Sequence, residues 1–368
     1  MSDTRPILLC AGGTGGHLFP ALSLASVLTA RGVSVMLATD DRAKEHGSDF
    51  PAEAIFTIRS ATFKSRHPLA LLQAGWRLFA GFVHSFLLIR KVRPCVVVGF
   101  GGYPTVPPML AATVLGVPTL IHEQNGVLGR ANALLAPWAR GIGTGLKGVR
   151  GMKEAWQAKA RHVGNPLRPK VLAAIAPYQA PDEGGDLRVL VTGGSLGARV
   201  MSDIVPEAIA ALDAGLRQRL HVIQQARPED LERCRTLYAQ SGVKVELASF
   251  FADLPAHMAW AHLVIGRAGA STVAELAALG RPSLLVPLPH ALDQDQAANA
   301  AFLAQAGAAD VIAQQDFTAA WLTDWLSKRL TDPTALKQSA DAAKALAITD
   351  AAEQFAAFVL EIAHQERY

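Results

Sequence analysis

Twice in this chain a short apolar run ends in a glycine-rich turn and passes directly into a helix-forming segment. The first is ILLCA-GGTGGH followed by a helical stretch from about Pro20 to Ala30; the second, RVLVT-GGSLGA, begins at Leu187. Apolar residues that run on without alternation read as a strand covered on both faces, and such strands belong to parallel sheets flanked by helices. A longer echo repeats the plan: VVVGFGGYPTVPPMLAATVLGVPTLIHEQN (96–125) and LVIGRAGASTVAELAALGRPSLLVPLPH (263–290) both read strand, glycine loop, helix, G-x-P, strand. The chain therefore resolves into two doubly wound α/β halves. Its length agrees, because 368 residues exceed what one hydrophobic core usually serves. With 50% hydrophobic and 18% charged residues it is neither disordered nor fibrous.

The stretch NPLRPKVLAAIAPYQAPDEGGD (165–186) has no strand pattern and is expected to link the halves. The expected domains are 1–164 and 187–345, with a C-terminal helix over 346–368 that packs back on the first domain through Phe355, Phe358, Val359 and Ile362. Trp321 and Trp325, four apart, are expected to face a core. Cys10, Cys95 and Cys234 lie far apart without metal-ligand spacing, as reduced core residues of a cytoplasmic protein would. The apolar stretch near the N-terminus is too short for the core of a signal peptide.

Gly12, Gly13, Thr14, Gly15 and Gly16 form a turn between strand and helix, where backbone N–H groups and the helix dipole attract an anion such as diphosphate. The turn lacks the Lys-Ser/Thr of a nucleoside triphosphatase and the spacing of G-x-G-x-x-G. An unliganded tight turn is the alternative, and a second such loop at Gly193–Gly197 weighs against it. His17 follows at the carboxyl edge of the sheet, where an imidazole can accept a proton from a substrate hydroxyl or merely cap the helix. His122, Glu123, Gln124 and Asn125 crowd the end of another strand and read as site-lining, although Glu123 could simply hold the turn. In the second half Gly266–Thr272 turns from strand to helix, and Glu275 lies where it can bind ribose hydroxyls or face the helix dipole. Asp293, Gln294, Asp295 and Gln296 precede another helix, as sugar ligands or as an ordinary cap.

Residues 1–165 carry 18 Lys and Arg against 8 Asp and Glu, whereas the rest is net acidic. No acidic residue occurs between Glu53 and Glu123, while Arg59, Lys64, Arg66, Arg77, Arg90, Lys91 and Arg93 accumulate there. Beside them Leu69–Ile89 is the most hydrophobic long window, but Gln73, Arg77, His84, Gly75 and Gly81 make it a poor membrane span. With Trp76, Phe79, Phe82 and Phe86 it reads as a surface touching anionic lipid, or as a buried helix. No nucleic-acid-binding motif accompanies the basic charge, so no nucleic-acid partner is expected.

In this order AGGTGGHLFPALSLA, GFGGYPTVPP, HEQNGVLGRAN, VGNPLR, GGSLGA, GRAGASTVAE and PLPHALDQDQAANA resemble the MurG family, the peptidoglycan N-acetylglucosaminyltransferases that make lipid II from lipid I. The resemblance spans residues 7–310. It implies a glycosyltransferase B fold, two doubly wound Rossmann-like domains facing across a cleft that holds the active site. UDP-N-acetylglucosamine would be held mainly by the C-terminal domain and the undecaprenyl-pyrophosphoryl lipid acceptor by the N-terminal one. By motif, Thr14, Gly15 and Gly16 border donor sugar and acceptor diphosphate, and Asn125 contacts the sugar. Arg168 and Ser195 contact the nucleotide, and Phe251 lies at the uracil. Ala270, Ser271, Thr272, Val273, Ala274 and Glu275 supply the helix start for the donor diphosphate, with Glu275 on the ribose. Asp295 and Gln296 bind sugar hydroxyls.

The implied reaction is inverting transfer to the C4 hydroxyl of the N-acetylmuramoyl unit, with helix amides and Arg stabilising the leaving UDP without a metal or cofactor. His17 is the first candidate for the base and Glu123 the second. Such a protein would sit peripherally on the cytoplasmic face of the cell membrane, against its anionic surface, and other cell-wall synthesis proteins would be its partners. The competing readings are another glycosyltransferase B enzyme with a UDP-sugar and lipid acceptor, a UDP-sugar epimerase, a nicotinamide-dependent oxidoreductase using Asp40, and a non-catalytic sugar-nucleotide-binding module.

Overall fold

The computed structural model describes residues 5–12, 15–41, 50–58, 68–194, 197–289 and 294–365. The chain divides into two compact units, Met1–Arg168 with Ile348–Tyr368, and Pro169–Ala347.

Unit 1 is built on a parallel seven-stranded sheet of β1 (Ile7–Cys10), β2 (Val35–Thr39), β3 (Ala54–Thr57), β4 (Val96–Gly99), β5 (Thr119–Glu123), β6 (Gly141–Thr144) and β7 (Ala160–His162), in the order β3-β2-β1-β4-β5-β6-β7. Its helices are α1 (Gly15–Ala30), α2 (Pro68–Val92), α3 (Val106–Val114), α4 (Arg130–Leu135) and α5 (Glu154–Gln157). Strand order reverses at β1 and β4, which pair from Ile7↔Val96 to Cys10↔Gly99. The carboxyl ends of these two strands are the switch point at which open α/β sheets bind ligands. Helix α1 buries Leu18, Ala21, Leu24, Ala25 and Leu28 at helical spacing, and it ends where Gly32 turns left-handed at φ 73°.

Unit 2 repeats the plan with β8 (Leu187–Thr192), β9 (Leu220–Gln225), β10 (Lys244–Ala248), β11 (Leu263–Gly266), β12 (Ser283–Leu285) and β13 (Ala309–Val311), ordered β10-β9-β8-β11-β12-β13. It contains α6 (Pro169–Ala173), α7 (Arg199–Ala210), α8 (Ala214–Arg219), α9 (Leu231–Ser241), α10 (Leu254–Trp260), α11 (Ala270–Leu279), α12 (Asp295–Gln305), α13 (Ala319–Leu330) and α14 (Pro333–Ala345). Its switch point lies between β8 and β11, which pair from Val189↔Leu263 to Thr192↔Gly266.

The chain then returns to unit 1 as α15 (Ala351–His364), which packs on α1 and buries Phe355, Phe358, Val359 and Ile362. The glycines of β6 exist for this helix: a Cβ on Gly141 would lie 2.5 Å from Phe358, and one on Gly143 would lie 2.9 Å from Phe355. Surface pairs Arg31–Glu353 and Arg161–Glu361 flank it and add little, because exposed ion pairs are screened.

The 165–186 segment differs from a free linker. Asn165 is buried in unit 1, α6 belongs to unit 2, and Tyr178 donates its hydroxyl hydrogen bond to the His262 carbonyl at 3.0 Å. Trp321 and Trp325 are half-buried and stacked with centroids 6.1 Å apart, and Trp325 Nε1 donates to Asp310. The indole N–H needs an acceptor, which keeps this pair at the edge of the core rather than inside it.

Candidate active site

At the unit 1 switch point the imidazole of His17, in the first turn of α1, is seated against two glycine turns. A Cβ on Gly101 would lie 3.3 Å from the ring, and one on Gly102 or Gly12 would lie 3.5 or 3.6 Å from Nδ1. Gly101 and Gly102 have φ of 87° and 78°, a backbone that side chains resist, so glycine both permits the turn and makes room for the ring. Gly15 and Gly16 open the same helix, whose first turn carries no acidic residue. The guanidinium of Arg168, the last residue of unit 1, lies 4.7 Å over the Phe19 ring of α1. Thr14 lies outside the described residues.

At the carboxyl end of β5 the polar run HEQN is mostly inward. His122, Glu123 and Gln124 are buried, and Asn125 alone of the four is half-exposed. Glu123 Oε1 accepts from the Asn125 backbone N–H at 3.0 Å and from Asn125 Nδ2 at 3.2 Å. Its Oε2 accepts from the Gly129 N–H and from Asn132 Nδ2, each at 2.8 Å. Burial pushes the Glu123 carboxyl up, opposed by these four bonds. Both carboxylate oxygens thus hold the turn that presents Asn125, a positioning role rather than that of an open proton acceptor.

Asn132 Nδ2 also donates to the His122 carbonyl at 3.1 Å, and Gln124 Nε2 donates to the Phe100 carbonyl at 3.0 Å, immediately before the turn that seats His17. His122 packs between Phe100 and Phe355 with Nε2 3.0 Å from the Gly164 carbonyl oxygen. Burial lowers its pKa to about 4, so it is neutral and structural near pH 7. The reading of the HEQN run as site-lining is corrected for His122 and Gln124, and of the two readings of Glu123 its bonds fit the one in which it holds the turn: the strand is covered on both faces, and only its end reaches the surface.

In unit 2 the first glycine turn is fastened by Gln225, whose Oε1 accepts from Thr192 Oγ1 and the Gly193 N–H, both at 3.1 Å, while its Nε2 donates to the Ser249 carbonyl. The turn is therefore tied to the segment that carries Phe251. A Cβ at Gly193 would sit 2.1 Å from the Ala198 nitrogen, so no other residue fits. Ser195 lies outside the described residues, and Phe251 is half-buried with its ring 4.8 Å from that of His257. Helix α11 starts after Gly269. Ala270 and Val273 are buried, leaving Ser271, Thr272 and Ala274 partly exposed, and Glu275 is only 5% exposed.

Arg267, within the same loop, is turned inward. Nη1 donates to the Val286 and Pro287 carbonyls at 2.9 and 3.1 Å, and Nη2 donates to Gln314 Oε1 at 2.6 Å. At the next loop Gln296 Oε1 accepts from the Leu288 N–H at 3.0 Å, and Asp295 Oδ1 accepts from the Gln296 N–H at 2.8 Å. Gln294 is left-handed at φ 50°, and Asp293 lies outside the described residues.

Two family models match the chain: the glycosyltransferase family 28 N-terminal domain over residues 7–144 and the family 28 C-terminal domain over residues 188–355. The UDP-N-acetylglucosamine--N-acetylmuramyl-(pentapeptide) pyrophosphoryl-undecaprenol N-acetylglucosamine transferase of Methylorubrum populi is 57% identical over 98% of both chains. The enzyme of the same name from Rhodopseudomonas palustris is 50% identical over 99% of this chain and 97% of its own. The chain belongs to the MurG family. A crystal structure of Acinetobacter baumannii MurG has a TM-score of 0.78 at 27% identity and covers 97% of this chain and 100% of that one. A UDP-N-acetylglucosamine 2-epimerase structure, at 14% identity and TM-score 0.69 over 96% of this chain and 94% of that one, shares the fold alone. The fold is thus the glycosyltransferase B fold of MurG, and the oxidoreductase and non-catalytic readings fall away.

Within this MurG-family chain the structure gathers His17, Gly15, Gly16 and Arg168 at the unit 1 switch point, and Asn125 on the turn held by Glu123. Ala270–Glu275, Phe251, Asp295 and Gln296 all follow strands of unit 2. Asn132, Asn165, Gln225 and Arg267 hold the loops without a signal of their own in the sequence. A single buried amide or guanidinium leaves no periodic signal, and only their membership of the quoted motifs marked Asn132, Asn165 and Arg267.

Proposed function

We infer that this enzyme transfers N-acetylglucosamine from UDP-N-acetylglucosamine to the C4 hydroxyl of the N-acetylmuramoyl-(pentapeptide) pyrophosphoryl-undecaprenol acceptor, turning lipid I into lipid II for peptidoglycan. The carrying observation is the histidine seated among glycine turns at the unit 1 switch point, in a chain alike end to end to the named transferases. His17 takes the acceptor proton as the hydroxyl attacks the anomeric carbon, and inversion follows from attack opposite the leaving UDP. The amides at the start of α11 receive the charge developing on the diphosphate, Phe251 lies at the uracil, Glu275 binds the ribose, and Gln296 and Asp295 bind sugar hydroxyls. Thr14, Gly15, Gly16 and Asn125 meet the sugar and the acceptor diphosphate, and Arg168 and Ser195 meet the donor nucleotide. Release of labelled lipid II from radiolabelled UDP-N-acetylglucosamine and a lipid I analogue tests this directly. No transfer by the folded protein would sink it.

Removing the Glu275 carboxylate in Glu275→Ala is expected to weaken UDP-sugar binding by about 1–3 kcal/mol, through loss of a charge-assisted hydrogen bond. Unchanged UDP affinity by calorimetry would end its ribose role.

Among the described residues no helix is long and apolar enough to cross a membrane. On α2, however, Trp76, Phe79, Val83 and Leu87 form one exposed stripe, with Trp76 at 70% and Leu87 at 59%, while Phe82 and Phe86 pack inward. Arg77, Arg90, Lys91 and Arg93 are exposed beside them, whereas Arg59, Lys64 and Arg66 lie outside the described residues. An apolar stripe beside basic residues suits peripheral attachment to the anionic cytoplasmic face of the membrane, where the lipid acceptor resides and other cell-wall synthesis proteins assemble. Reversal of Arg90, Lys91 and Arg93 to Glu should release the protein from anionic liposomes, at about 1 kcal/mol per basic residue. Equal sedimentation of wild type and triple variant at low salt would show that this face is not the contact.

A further inference from the structure

We propose that Phe19 is a positioning residue for diphosphate recognition: its ring carries the Arg168 guanidinium and fixes it beside the glycine turn that opens α1. The proposal rests on the reading above, in which Arg168 meets the donor nucleotide, itself a diphosphate, and Gly15 and Gly16 border the acceptor diphosphate.

Phe19 lies one helical turn beyond Gly15, and side chains on a helix lean toward its N-terminus. The ring accordingly reaches back over the helix start, so close that a Cβ on Gly15 would stand 2.9 Å from Phe19 Cε2. A larger residue at position 15 would have to displace the ring. On the ring rests Arg168, its Cζ 4.7 Å from the centroid, within cation–π range. The backbone leading to Arg168 is fixed because Val163–Leu167 are all buried, and on its half-exposed, rotamer-rich side chain the ring contact narrows the choice of rotamer. The guanidinium carries five N–H donors, and a ring contact leaves donors over to grip phosphate oxygens in pairs. The aromatic ring therefore narrows the rotamers of Arg168 without competing for the bonds that recognition uses. A leucine of similar reach would fill the space and offer no π face.

Steady-state kinetics on the full-length enzyme test the pairing, with UDP-N-acetylglucosamine varied at saturating lipid I analogue and the analogue varied at saturating donor. Phe19→Leu is expected to raise the KM of one of these substrates by roughly 3- to 30-fold, the span of a cation–π contact, with little change in kcat. The substrate whose KM moves carries the diphosphate that Arg168 grips. Arg168→Ala should raise the same KM, Phe19→Leu should add nothing in the Arg168→Ala background, and Phe19→Tyr should behave as wild type. Thermal melts monitor folding, and Phe19→Met provides a second apolar variant should the leucine variant unfold. If Arg168→Ala leaves both KM values alone, the diphosphate reading fails and this inference with it. If Arg168→Ala raises a KM but Phe19→Leu and Phe19→Met do not, or their effects add to that of Arg168→Ala, the positioning role alone is overturned.

Discussion

Replacing His17 with alanine is expected to lower kcat by about 10²–10⁴-fold, the usual contribution of a positioned general base. The ring is oriented by contact with Gly12 and the Gly101–Gly102 turn, so the wild-type enzyme needs little reorganisation to present it. Donor affinity should change little, since most of the residues proposed to hold the nucleotide belong to unit 2. Single-turnover assays with saturating donor and lipid I analogue are the appropriate measurement. Wild-type kcat in the variant would remove His17 from proton transfer. A variant that raises only the acceptor KM would make it a binding residue and leave the proton to water.

The second large effect is expected at Glu123. In Glu123→Ala two backbone N–H groups and the amides of Asn125 and Asn132 lose a buried acceptor. Orphaned donors of this kind cost about 1–3 kcal/mol each where water cannot replace the partner. Partial relaxation should leave a net loss of about 2–4 kcal/mol, or roughly 4–16 °C in the melting of unit 1. Activity should fall with it, because the turn no longer presents Asn125. Scanning calorimetry beside kinetics separates this from catalysis: a proton acceptor would lose kcat at unchanged Tm. That result would restore Glu123 as a base and overturn the positioning role assigned here.

Much of the architecture was legible in sequence. Strands such as Val96–Gly99 and Leu187–Thr192 are continuous apolar runs because helices cover both faces of the sheet, and their glycine turns mark the carboxyl edge. Strand β6, Gly-Ile-Gly-Thr, was missed for a physical reason: its glycines lower strand propensity and are there because Phe355 and Phe358 of a helix more than 200 residues later lie against them. Helix α1 begins at Gly15, earlier than Pro20, since tertiary packing overrides the poor helix propensity of two glycines.

At the site, residue types and spacing by themselves determined that glycine turns meet helix starts and that His17 adjoins one of them, and the ordered motifs of both halves carried the resemblance to the MurG family. Those signals are local, carried by backbone conformations that only particular residues adopt. Which polar residues face a ligand was decided by tertiary structure alone. Glu123 and Arg267 lie in the same motifs as Asn125 and Ser271, yet both are turned inward to satisfy neighbouring backbone and amide groups. A one-dimensional pattern does not say where a long side chain finds its partner, because that partner is set by loops distant in sequence and by the cost of leaving any buried polar group unpaired.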